Sequence, residues 1–181
     1  MTPELPQNLV LAVHPMAQGF AWIAYDGPFK PWAWRTVRVH GYRNDRFLSR
    51  IRTVLERHQP ITLVLEAFEP EVSARSERTA RLCRGIVAFA REMGIEVEVI
   101  RYSDVQDCFS HVGARTRHEI AEAIVRHTPV LSDYLPSKRR AWERENFHMA
   151  IFSAAALVIA HYSQDAHRLL VDLREASSGL P

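Results

Sequence analysis

The sequence predicts an α/β fold: a five-stranded mixed sheet with helices packed against it. Three observations carry that reading. Three short apolar or alternating runs, separated by turn residues, fill roughly the first 40 positions. From there to about residue 100, helical and strand patterns alternate, and a long apolar helix rich in small residues follows near the end.

Residues 8–14 are a compact apolar run and residues 19–25 a second, rich in aromatics, with a short turn beginning at Pro15 between them. After the turn residues Asp26, Gly27 and Pro28, positions 32–40 alternate. Trp32, Trp34, Thr36 and Arg38 interleave with Ala33, Arg35, Val37 and Val39, as in the third strand of an antiparallel meander. Asn44 or Asp45 caps a helix with one apolar face of Phe47, Leu48, Ile51, Val54 and Leu55, solvated arginines at 46, 50 and 52, and a stop at Pro60. Residues 61–66 form an unbroken apolar run closed by Glu66, the pattern of a central strand that delivers an acid at its C-terminal end. Residues 73–93 read as a helix with Leu82, Ile86, Phe89 and Ala90 inward, stopped by Gly94, before a fifth strand over 95–100. Two helices follow. One, over 117–127, buries Ile120 and Ile124; the other, over 141–162, carries Ala154, Ala155, Ala156 and Ala160, which permit close packing on a sheet. The tail, 165–181, is amphipathic and then Ser/Gly/Pro-like, and is expected to pack loosely or fray.

At 181 residues, 47% hydrophobic and 24% charged, the chain has the composition of one globular domain, with a core over about residues 8 to 162. The net charge of +2 announces no polyanionic partner, so local clusters must carry any such argument. Cys83 and Cys108 form no CxxC or Cys/His pattern, which speaks against a zinc module or a disulfide framework and favours a reducing, cytoplasmic location. No basic-then-apolar leader opens the sequence and no run approaches a membrane span, so neither secretion nor a membrane partner is expected.

The element order is that of the ribonuclease H-like fold. Four local features sharpen the match: Leu11-Ala12-Val13-His14-Pro15 followed by Gly19-Phe20; Leu63-Val64-Leu65-Glu66; Gly113-Ala114-Arg115-Thr116-Arg117 turning into a helix; and Trp142-Glu143-Arg144-Glu145 leading to Ala156-Leu157. Through them the chain resembles a RuvC-type Holliday-junction resolvase over about residues 8 to 162. That resemblance implies a nuclease in which carboxylates from the first strand, the fourth strand and the last helix hold two divalent ions. One ion would generate hydroxide and the other stabilise the leaving oxygen. It also implies branched or structured DNA as partner and a homodimer.

The sequence departs from the family pattern at the acids. Glu66 matches the fourth-strand Glu, but His14 stands where the first-strand Asp belongs, and the last helix offers Glu145, His148 and then Ser153 where an Asp is expected. On a continuous helix Glu145 and His148 share a face, and Ser153 lies about 80° round from Glu145. His14, Glu66, Glu145 and His148 are therefore the candidate catalytic and metal-ligating residues. Two carboxylates with two imidazoles favour Mn²⁺ or Zn²⁺ over a pair of Mg²⁺ ions.

Basic residues flank the same region: Arg75, Arg78, Arg81 and Arg84 after Glu66, then Arg115 and Arg117, then Lys138, Arg139 and Arg140. These are candidate phosphate contacts, with Thr116 and its helix N-terminus as neutral donors and Glu77 as an opposing charge. Trp32 and Trp34 read as sheet packing rather than base-stacking platforms. The reading is a RuvC-like protein that binds branched or structured DNA, with an altered metal site that favours binding over cleavage. The alternatives are a metal-dependent structure-selective endonuclease using a modified His/Glu site, and a non-catalytic protein-assembly module on the same fold.

Overall fold

The computed structural model describes residues 6–41, 44–138 and 146–178, with side chains as far as Val171. Three antiparallel strands, β1 (Val10–Met16), β2 (Gly19–Tyr25) and β3 (Pro31–Arg38), lead to helix α1 (Asn44–His58) and strand β4 (Thr62–Glu66). Helix α2 (Glu77–Glu92), strand β5 (Glu96–Ile100), helices α3 (Tyr102–Ser110) and α4 (Arg117–His127), a 3₁₀ turn (Pro129–Tyr134) and the long helix α5 (Met149–Ser178) complete the order. The sheet runs β3-β2-β1-β4-β5, with β1 antiparallel to β2 and parallel to β4, and β4 parallel to β5. This is the predicted five-stranded mixed sheet with flanking helices.

Both faces of the sheet are covered, which is why β1 and β2 read as continuous apolar runs rather than alternating ones. Leu11, Val13, Phe20, Leu63 and Leu65 pack with Phe47, Ile51 and Leu55 of α1 and with Leu82 and Ile86 of α2. Ala12, Ile23, Val64 and Ile100 point the other way, onto the buried Ala154, Ala155 and Leu157 of α5. The alanines let α5 lie close against the strands.

Several boundaries differ from the sequence expectation, each for a physical reason. The strand does not stop at His14: Pro15 and Met16 pair with Phe20 and Gly19, and the hairpin turn is Ala17-Gln18. Proline is tolerated there because the ladder is ending. Gly19 (φ +152°) is required on the far side, since a Cβ would sit 2.0 Å from the Val37 carbonyl oxygen. Helix α2 starts at Glu77, capped by Ser76, so Arg75 lies in the loop before it and not on its surface. Gly94 (φ +73°) follows the α2 C-terminus as predicted.

Helix α3 has no counterpart in the sequence reading. The last helix begins at Met149 rather than 141, because Asn146–His148 are not helical; residues 141–145 lie outside the described residues. It then continues to Ser178, so much of the expected loose tail is helix. Cys83 and Cys108 are free thiols. Among the described residues no helix is long and apolar enough to cross a membrane.

Candidate functional site

The register fixes the centre of the site. Val13 pairs with Leu65 in neighbouring parallel strands, so the next residues, His14 and Glu66, emerge side by side where the β1–β4 pairing ends, Glu66 closing β4 while β1 runs on to Met16. They face α5, because Ala12 and Val64, two positions back, do. In a parallel α/β sheet this edge is where ligands bind.

What meets Glu66 there is arginine. Arg75 reaches back from the loop before α2 and places its guanidinium 3.0 Å from Glu66 Oε2, with the two side chains 14% and 12% exposed. The same guanidinium donates to the Pro15 carbonyl at 3.3 Å and lies 3.4 Å from His14 Nδ1. Arg117, at the start of α4, brings a second guanidinium to 4.0 Å from Glu66 Oε2 and donates to the Ser153 hydroxyl of α5 at 3.2 Å. Its plane lies over the Tyr102 ring, 4.9 Å from the centroid.

His14 Nδ1 is 3.7 Å from Glu66 Oε2, but this contact is not an ion pair. Burial, then the charges of Arg75 and Arg117, hold the imidazole pKa well below 6.5, so the ring is neutral at physiological pH. With a guanidinium donor facing Nδ1, that nitrogen accepts and the proton sits on Nε2. Beside His14 lies a half-open depression of about 410 Å³, lined by Met16, Gln18, Asn146, Phe147 and Ala150. Arg38 covers the Phe147 ring at 4.6 Å.

The remaining predicted residues fall as follows. Glu145, Arg139 and Arg140 lie outside the described residues. His148 precedes α5, is exposed, and packs its ring against Tyr134 at 5.8 Å, so the helical spacing assumed for Glu145 and His148 does not apply. Ser153, ranked below them in sequence, is the α5 residue tied to Glu66, through Arg117.

Arg78 donates to Asn44 at 3.4 Å and lies over Phe47, while Arg84 is engaged by Glu69 and Glu77 at 3.0 and 2.6 Å. Arg81, Arg115 and Lys138 are exposed. The Thr116 cap is made, but Glu119 takes the backbone N–H groups of both Arg115 and Thr116 at 2.9 Å, and those bonds lower its pKa. A phosphate at that helix start would have to displace Glu119. Trp34 packs edge-on to Tyr134, and Trp32 is 36% exposed on edge strand β3.

The donors around Glu66 do not make a site for a pair of divalent cations among the described residues. One carboxylate, a neutral imidazole and a hydroxyl stand against two guanidinium charges, and hard cations of this class require several anionic oxygens.

Fold and edge geometry define the class: an α/β protein with a ribonuclease H-like fold. The structure is similar to Thermus thermophilus RuvC, with a TM-score of 0.61 and 16% identity, covering 87% of this chain and 96% of that one. It is similar to T. thermophilus RuvC in complex with a Holliday junction substrate (TM-score 0.56, 15% identity, 86% and 92% covered). It is also similar to the yeast mitochondrial Holliday junction resolvase Ydc2 (TM-score 0.57, 12% identity, 92% and 83% covered). No protein-family model and no curated protein sequence matches the chain.

Proposed function

We propose that this chain is a RuvC-like protein that binds branched or structured DNA through the Glu66 edge, with an acidic site degenerate for metal-dependent cleavage. The observation that carries this reading is the Glu66–Arg75 pair: at 3.0 Å and almost buried, the guanidinium supplies the positive charge that a metal would supply. Arg117, 37% exposed beside it, adds a second guanidinium suited to a phosphate oxygen. Arg81, Arg115 and Lys138 are exposed cations available as further phosphate contacts.

The test is binding and cleavage of a synthetic four-way junction against linear duplex of the same sequence. The expected result is tighter binding to the junction, with log K falling linearly with log salt. Arg81→Ala, Arg115→Ala and Lys138→Ala each remove one phosphate-neutralising charge and lower the slope by about 0.9. No nicking is expected with Mg²⁺, Mn²⁺ or Zn²⁺. Metal-dependent nicking abolished by Glu66→Gln would replace this reading with an active nuclease, and binding indifferent to salt would remove the nucleic-acid partner.

A further inference from the structure

We propose that Glu98, His161 and Asp165 form a binding site for one borderline divalent cation of the Zn²⁺ class, at the end of the sheet opposite Glu66. It is independent of the nucleic-acid reading. The site borders a cleft of about 620 Å³ whose other walls include Val10, Thr62 and Glu96, at the starts of β1, β4 and β5. His14 and Glu66 stand where the β1–β4 pairing ends. Along α5, His161 is eight residues beyond Ser153, about 12 Å at 1.5 Å per residue.

His161 sits on the buried face of α5, its side chain 9% exposed, with carboxylates on both ring nitrogens: Glu98 Oε2 at Nδ1 and Asp165 Oδ2 at Nε2. A neutral imidazole carries one N–H and one lone pair. In the tautomer that gives its N–H to Glu98, the Nε2 lone pair faces Asp165 Oδ2, itself a lone-pair donor. Two acceptors facing one another on a largely buried ring need a positive species between them.

The spacing matches a metal. Nε2 and Oδ2 are 3.4 Å apart, which is the ligand-to-ligand edge of a tetrahedron with bonds of about 2.1 Å, the usual Zn–N and Zn–O length. One ligand atom from each of the three residues lies within 4.8 Å of the others, so Glu98 either closes the first shell or holds the imidazole from behind. Arg168 does not fill the position. It is 63% exposed and binds the outer oxygens, Glu98 Oε1 at 3.4 Å and Asp165 Oδ1 at 3.1 Å, leaving the inner ones toward the ring. A bound ion would staple β5 to the second half of α5. Nitrogen and oxygen donors select Zn²⁺ over Mg²⁺.

The experiment is calorimetric titration of the full chain, untagged and stripped by chelator, with Zn²⁺ and separately with Mg²⁺ near pH 7.5. Expected is a 1:1 Zn²⁺ isotherm, no Mg²⁺ isotherm, and a melting temperature that rises with Zn²⁺ concentration. Glu56→Gln, at an exposed position on α1, retains the isotherm. Asp165→Asn, at a half-exposed position where folding is not at stake, and Glu98→Gln each weaken it by about tenfold or more. Co²⁺ in place of Zn²⁺ gives tetrahedral ligand-field absorption in the wild type that Asp165→Asn removes. Absence of Zn²⁺ binding overturns the proposal and leaves a doubly hydrogen-bonded imidazolium as the ring's state. Binding unchanged in Asp165→Asn, or lost in Glu56→Gln, overturns it as well.

Discussion

Exchanging the Glu66–Arg75 pair for neutral amides tests whether arginine stands in for a metal. Opposite charges about 4 Å apart attract by about 4 kcal/mol at an effective dielectric near 20, before desolvation is subtracted. Glu66→Gln removes the carboxylate that faces both guanidinium groups and strips the 14%-exposed Arg75 of its 3.0 Å partner, and is expected to cost about 3–5 kcal/mol. Arg75→Gln leaves a nearly buried carboxylate with the neutral His14 ring at 3.7 Å and the Arg117 guanidinium at 4.0 Å, and about 2–3 kcal/mol is expected. The double variant removes both charges and should be about 2–4 kcal/mol more stable than the sum of the single losses predicts. Urea denaturation followed by the fluorescence of the four tryptophans measures all three. Mn²⁺ titration supplies a second readout: Arg75→Gln should gain an affinity that depends on Glu66 and is absent from the double variant. Stabilities that add to within about 0.5 kcal/mol, or wild-type Mn²⁺ binding through Glu66, would refute the assignment.

Other consequences are checked by similar means. His14 is held neutral in the fold, while in the unfolded chain it takes up a proton below about pH 6.5, so its contribution is a loss of stability as pH falls through 6.5. The expected slope is about 1.4 kcal/mol per pH unit, steeper in the wild type than in His14→Asn when denaturation is compared at pH 7.5 and 5.5. His58, whose pKa is lowered by burial and then by Arg57, adds in the same direction. Gly19→Ala, which drives a Cβ to 2.0 Å from the Val37 carbonyl oxygen, should cost on the order of 4 kcal/mol or prevent folding. Gly85→Ala meets the end of the Leu48 side chain at 2.9 Å, which can rotate, so about 1 kcal/mol is expected. Equal thermal shifts in the two glycine variants would contradict the backbone argument.

The sheet is legible in the sequence because its central strands are apolar on both faces and their turn residues are unambiguous; β2 and α4 have the boundaries predicted for them. Helix α3 is not, since Ser103, Asp104, Asp107 and Cys108 are poor helix formers and Val105 and Phe109 alone among its residues are buried. In the site, Glu66 and His14 stand out because each closes an apolar run. Arg75 reads in sequence as a surface residue of a helix, since its identity as the partner of Glu66 depends on the path of the loop before α2. Sequence spacing carries no information on such a return. Ser153 ranks too low when the last helix is started at 141, because the register then favours residues that precede the true helix start. The opposite cluster does carry a signal: His161 interrupts a run of apolar residues on a buried face, and Asp165 follows it by one helical turn.

Electrostatics gives the two ends of the sheet opposite characters. At the Glu66 edge, among the described residues, one carboxylate is met by two guanidinium groups and a neutral imidazole, a lining that suits a phosphate oxygen better than a divalent cation. At the Glu98 end two carboxylates, Glu98 and Asp165, flank the His161 ring with Arg168 on their outer oxygens, and Glu96 lines the same cleft. A phosphate backbone is steered to the first end and away from the second, and a cation the other way. The two proposals therefore separate by reagent: salt is expected to weaken the proposed DNA binding and leave the proposed β5–α5 staple in place, whereas a chelator is expected to lower the melting temperature and leave the salt slope unchanged.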